Sequence, residues 1–302
     1  MRWIPAYILS SRLIAVAITG VCGALSLFVF LMPLAAVSAA TVALVALRKG
    51  VLEGLWVVGW AALLCWVTAL LGGGILAFTP AMFLWLPVLA AAWVLRRTHS
   101  HGALLMAAGV MGMIFALWLR SLTGDVVEFW SRLLAPYYTQ ILDSGAQVQT
   151  VVPGDLLQQM NGRVSMVFSL CIILTVFLAR WWQSLLYHPG GFRAEFLALR
   201  LPRRLVFLPA LIGILICTLE DPYRPSVLAD LLMVLGTLYV IQGLALAHGL
   251  VASRGLSSWW MSAIYVLMLM APPGGVLVLA LFGACDSYLN FRRYWTEATQ
   301  NG

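Results

Sequence analysis

The amino-acid sequence points to an all-α polytopic membrane protein. It predicts eight to ten transmembrane helices or half-helices, both termini on the cytoplasmic side, and one amphipathic interfacial helix on each face. Three observations carry this. Hydrophobic residues make up 63% of the chain and charged residues only 10%, whereas a soluble domain is about 25% charged. Mean hydropathy is +0.97, and a soluble fold of this size exposes too much surface to hide so many apolar side chains. The basic residues, 17 Arg and the single Lys49, lie between apolar blocks, as charges that set membrane orientation do. Residues 1–302 are read as a single integral membrane domain in a bacterial cytoplasmic (inner) membrane.

Apolar blocks run over Leu13–Met32, Leu34–Leu47, Leu55–Phe78, Ala81–Leu95, Ala103–Leu119, Val164–Ala179, Leu205–Leu219, Val227–Val251 and Trp259–Asn290. A span needs about 20 residues at ~1.5 Å rise. Arg2 and Arg12 precede the first block, and Val37-Ser38-Ala39 resembles a cleavage site. The apolar run is already longer than the roughly 7–15 residues of a cleaved signal core, so an uncleaved first span is expected. Residues 13–47, with Pro33 between the halves, and 259–290, with Pro272-Pro273-Gly274-Gly275, are each too long for one helix and short for two. Charge arbitrates. If both regions are hairpins, the basic residues split 14 inside to 4 outside; if each crosses once, the split falls to 10 against 8. The positive-inside rule favours the hairpins.

The longest non-spanning segment, about 123–162, falls outside. Within it Val126, Val127, Trp130, Leu133, Leu134, Tyr137, Tyr138, Ile141 and Leu142 recur at helical spacing. Such a helix lies among headgroups or across the mouth of the bundle, and Pro136 should kink it. The cytoplasmic interfacial segment, about 180–204, carries Arg180-Trp181-Trp182-Gln183, a stop at Pro189-Gly190-Gly191, and a short helix with Phe192, Phe196 and Leu199 on one face. Arg193 and Glu195 are expected to point to water and headgroups. The basic flank suits anionic lipid.

That segment resembles the YybS-like family of bacterial membrane proteins, whose biochemical role is unknown. The matching residues are Arg180, Trp182, Gln183, Pro189, Gly190, Phe192, Glu195, Phe196 and Leu199, with Gly283, Asp286 and Arg292 near the C-terminus. The hydropathy layout fits nearly the whole chain, while the specific motifs cover about a tenth of it. The family in turn resembles, distantly, the substrate-binding S components of energy-coupling-factor transporters. This chain has more segments than the usual six, and likeness of fold does not transfer a binding site. An S component docks its coupling subunit through an alanine face, so the resemblance implies looking at Ala35–Ala43.

Catalytic signatures are missing. There is no phosphate-cradling G-x-x-x-x-G-K-[ST], no H-E-x-x-H and no G-x-S-x-G, so neither enzyme chemistry nor any cofactor is expected. The charge pattern excludes nucleic acid as a partner. Cys22, Cys65, Cys171, Cys217 and Cys285 lie in apolar runs at no metal-ligand spacing and read as free thiols. His99-Ser100-His101 reads as a solvated turn. Ionisable residues inside spans are costly and therefore candidates. Glu53 reads as the local partner of Lys49, Gln242 and His248 as a packed pair, and Asp286 as a helix-end charge paired with Arg, with a transport or partner site as its alternative. Arg120, Glu220, Asp221, Arg224 and Asp230 frame a possible outer polar mouth, with a tight turn the plainer account. Arg180, Gln183, Pro189, Gly190, Phe192, Glu195, Asp286 and Arg292 are the expected partner or lipid contacts.

Two functions follow as expectations. One is a small-molecule-binding transporter subunit similar to an S component, working with a transmembrane coupling subunit and an ATPase. It requires a pocket opening outward under the 125–142 helix. The alternative is a non-transporting scaffold or regulator that recruits a cytoplasmic protein through residues 180–204 and 286–293.

Overall fold

A computed structural model describes residues 2–26, 28–68, 70, 79–138, 147, 152–219 and 226–291. Among them the chain is helical, with no strand. The helices are α1 Trp3–Ser10, α2 Arg12–Leu25, α3 Leu34–Lys49, α4 Val51–Thr68, α5 Thr79–Thr98, α6 His101–Thr123 and α7 Val126–Leu134. Then follow α8 Gly154–Gln158, α9 Met160–Tyr187, α10 Gly191–Leu197, α11 Phe207–Thr218, α12 Ser226–Ser253, α13 Trp259–Met270 and α14 Pro272–Leu289.

Three of the described helices, α6, α9 and α12, are long and apolar enough to cross a membrane. A fourth span results if α1 and α2, bent by 115° at Ser11, count as one. Large apolar side chains stand exposed on the outside, among them Trp60 and Trp66 of α4, Ile114 and Leu117 of α6, Ile214 of α11 and Leu281 of α14. Exposed apolar surface on this scale fits a membrane location, where lipid covers what water would penalise.

The first long ambiguous region folds back on itself. Ser38 Oγ of α3 donates to the Thr19 carbonyl of α2 at 2.7 Å, and Lys49 Nζ at the far end of α3 reaches the Leu9 carbonyl of α1 at 3.0 Å, so α3 runs antiparallel to the chain of α1 and α2. At the C-terminal end Ala271 alone separates α13 from α14. Pro272-Pro273-Gly274-Gly275 does not form the turn but opens α14, because a proline in the first turn has no N–H to lose.

The centre is α3. Every residue from Ser38 to Leu47 is buried, and Ala39 and Ala43 are wholly enclosed by the chain's own helices. The small residues let α3 be surrounded at close range, so the alanine stripe offered as a docking face is spent on internal packing. Around α3, contacts sort the polar residues into two ends. Arg96 donates to the Ala46 carbonyl at 2.8 Å, Arg48 lies over the Tyr187 ring at 3.6 Å and Arg12 pairs with Glu53. Lys49, Arg180 and Arg200 join this basic end. The opposite end holds Arg120, Thr123, Trp130, Asn161, Ser226 and Asp230.

Several expectations on ion pairs and turns are corrected. Glu53 is taken by Arg12 from another helix rather than by Lys49, whose ammonium goes to the Leu9 carbonyl. His101 is not in a solvated turn: it is the first residue of α6 and is buried. Pro136 does not kink the amphipathic helix. α7 stops at Leu134 and gives way to a 3-10 turn over Ala135–Tyr138; Ile141 and Leu142 lie outside the described residues. α1, with Ile8 buried and Trp3 exposed, was not foreseen as a separate helix.

Candidate functional site

The basic end is built from α9, α10, α12 and α14. α9 continues through Arg180 and Trp182 to Tyr187, and the reversal at Pro189-Gly190 uses a Gly190 φ of +86°, a conformation glycine adopts without strain. α10 then returns along the bundle. Phe192 and Phe196 meet Phe177 of α9 edge-on, with ring centroids 5.6 and 5.8 Å away, and Phe196 meets His248 at 5.7 Å. The expected apolar face is therefore present, and Leu199, 2% exposed, extends it.

Glu195 departs from expectation. It turns inward and is clamped by Arg180, whose Nε donates to Oε2 at 2.9 Å while its terminal nitrogen bonds Oε1. Arg180 also donates to Gln183 Oε1 at 2.9 Å. His101 Nε2 stands 3.7 Å from Glu195 Oε2. A planar guanidinium satisfies both carboxylate oxygens at once, which costs less than leaving the partly buried Glu195 without a partner. Arg193 remains exposed, as expected, with Pro189, Gly190, Arg203 and Arg204.

A second tie lies deeper. α12 and α14 pack closely along their length and touch at Gly243 and Gly283. A Cβ at Gly283 would collide with the Tyr239 carbonyl, and one at Gly243 with the Leu279 carbonyl. Close approach of this kind is what small residues allow. One turn on, Gln242 Nε2 donates to Asp286 Oδ2 at 3.1 Å, and Gln242 Oε1 accepts from the Leu201 backbone N–H at 3.0 Å and from Ser287 Oγ at 3.2 Å. Gln242, Asp286 and Ser287 are all fully buried. Arg200 donates to the carbonyls of Asp286 and Ser287 at 3.2 and 3.1 Å; the first also accepts from the Asn290 N–H, and the second is a group that a helix C-terminus leaves open. Asp286 thus meets Gln242 through its side chain and Arg200 through its backbone; Arg292 and Arg293 lie outside the described residues. Gln242 and His248 do not pair, since His248 Nδ1 contacts the Leu244 carbonyl at 2.9 Å.

The opposite end brings Arg120 and Asp230 together at 3.6 Å, with Arg120 also bonded to Ser226. Glu220, Asp221 and Arg224 fall outside the described residues. Beneath α7, the buried Trp130 Nε1 donates to Asn161 Oδ1 at 2.8 Å, and Asn161 Nδ2 donates to Thr123 Oγ1 at 2.9 Å. The indole packs beneath the described part of this helix, and an open crevice of about 420 Å³ lies beside it, lined by Thr123, Asp125, Glu128, Phe129, Arg132 and Leu133. Asp125 caps α7 by accepting from the Glu128 N–H at 3.0 Å.

No group of three or more His, Cys, Asp or Glu side chains among the described residues is placed to hold a metal ion. Comparison with protein-family models, with curated proteins and with solved structures finds no match to this chain.

Proposed function

We propose that the chain is a multi-pass bacterial inner-membrane protein with its basic end in the cytoplasm, acting as a non-enzymatic scaffold or regulator that recruits a cytoplasmic partner through residues 180–204. What supports this reading is the double tie on that segment. The Arg180–Glu195 clamp fixes α10 to α9, and Gln242 with Asp286 fixes the chain just after α10 to α12 and α14. The outer face, with Pro189, Gly190, Arg193, Arg203 and Arg204, is thereby held ready for a partner, which lowers the ordering cost of binding. Kinship with the YybS-like family is part of the same proposal, because Arg180, Gln183, Glu195, Gly283 and Asp286, on which that resemblance rests, make these ties.

A transporter subunit similar to an S component ranks second. It needs an enclosed solute pocket under the outer helix, and the crevice along α7 is an open one, with Trp130 bonded to Asn161 beneath it. A mild-detergent pull-down from native membranes, with mass spectrometry of proteins and small molecules, separates the two readings. The scaffold reading expects a soluble partner whose recovery is lost with Phe192→Ala and Glu195→Ala. Recovery of an ATPase with its transmembrane coupling subunit, or of one recurring metabolite, would overturn it in favour of the transporter.

A further inference from the structure

α12, α13 and α14 enclose a crevice of about 370 Å³. Its walls are apolar, formed by Leu246 and Ala247 of α12, Ile264 and Leu267 of α13, and Val278 and Phe282 of α14. Two close backbone approaches hold the wedge. The Gly243–Gly283 crossing joins α12 to α14, and Gly275, where a Cβ would come within 3.1 Å of the Leu267 carbonyl, joins α14 to α13. The cavity is thus a product of the fold rather than loose packing between mobile side chains.

On α12 the lining residues fall at positions 243, 246, 247 and 250, one stripe of the helix. The next position on that stripe is Arg254, four residues beyond Leu250 and still joined to it by a helical hydrogen bond of 3.0 Å from its N–H to the Leu250 carbonyl. Arg254 is exposed. Across the short loop, Trp259 and Trp260, at 80% and 60% exposure, open α13. Tryptophan at a helix end marks the headgroup level of a bilayer. An apolar slot therefore runs along α12 toward the turn that carries Arg254 and leads to the two tryptophans.

We propose that this crevice binds one acyl chain of an anionic phospholipid, whose headgroup phosphate is held by Arg254. Basic side chains at the cytoplasmic mouth of a gap between membrane helices suit acidic headgroups, and the arginine fork matches a phosphate. The crevice walls accept any saturated chain; selectivity comes from Arg254. The inference rests on the chain lying in a bilayer with its basic end at the cytoplasm, and is independent of whether residues 180–204 recruit a partner.

Native mass spectrometry of the full chain, released from nanodiscs holding equal amounts of phosphatidylglycerol and phosphatidylcholine, tests it. The wild type should retain one phosphatidylglycerol in preference to phosphatidylcholine by roughly fivefold, the effect of a single basic residue near the surface. Arg254→Gln, at an exposed position, should bring the two lipids to parity. Ala247→Phe, filling the slot, should abolish retention of either; if that variant does not fold, Arg254→Gln still decides the headgroup assignment. Equal retention of both lipids by the wild type would overturn the site, as would an unchanged preference in Arg254→Gln. A dimer that dissociates with Ala247→Phe would overturn it too, by giving the crevice to a second copy. In each case a protein that still enters nanodiscs leaves the membrane reading standing.

Discussion

Replacing Gln242 by Leu strikes the basic end where it is most buried. The side chain accepts from the Leu201 N–H and from Ser287 Oγ and donates to Asp286. After substitution Ser287 keeps its bond to the Gly283 carbonyl, so two groups lose this partner: the Leu201 N–H and Asp286 Oδ2. A buried group left unsatisfied costs about 1–3 kcal/mol. Hydrogen bonds between membrane helices are worth less, about 0.6 kcal/mol on average, because the unfolded chain also finds partners. A loss of about 2–4 kcal/mol is expected in a denaturant titration in mild detergent. The sharper quantity is the coupling with Asp286→Leu. The double variant removes both members of the Gln242–Asp286 bond, leaving only Leu201 without this acceptor. It should therefore be less damaged than the sum of the singles, by about 1–3 kcal/mol. Additive losses within about 0.5 kcal/mol would refute the bond as a component of stability.

The crossing that positions this bond is equally exposed to test. Gly283→Ala should cost about 1–3 kcal/mol, because its methyl meets backbone rather than a movable side chain; a melting curve like that of the wild type would rule out the close approach. Trp130→Phe should remove the bond to the buried Asn161 for about 1–2 kcal/mol. Its effect should appear as faster amide exchange over 126–134 while α12 stays protected. Arg180→Lys should weaken the hold on Glu195 although the charge is kept, because a point ammonium cannot copy the two-pronged contact. Faster exchange across 191–197 is the expected sign, and unchanged exchange would mean that the phenylalanines alone seat α10.

Much of the architecture follows from local pattern. The α2–α3 hairpin was predicted by charge arithmetic, α7 by its helical apolar spacing, and α10 by a proline-glycine stop followed by Phe192 and Phe196. Long-range partnerships were not visible. Glu195 reads as a solvated residue because Arg180 is 15 positions away on another helix, and rules for residues three or four apart do not reach it. The same blindness hid Gln242 and Asp286, 44 residues apart, and assigned Glu53 to Lys49 instead of Arg12. His101 looked solvated from its turn-like neighbours, whereas Phe177 and Phe192 cover it. Ala39 and Ala43 have the composition of a docking face, and composition alone does not say whether the partner helix comes from the same chain.

The proposed orientation is open to a direct measurement. In a background without the native cysteines, Arg193→Cys probes the exposed face of α10 and Leu133→Cys the exposed face of α7. A membrane-impermeant maleimide is applied to intact spheroplasts and to inverted vesicles. The account predicts labelling at position 133 only in spheroplasts and at position 193 only in inverted vesicles. The reverse pattern, or labelling of both positions from one side, would contradict a bundle that crosses the membrane with its basic end in the cytoplasm.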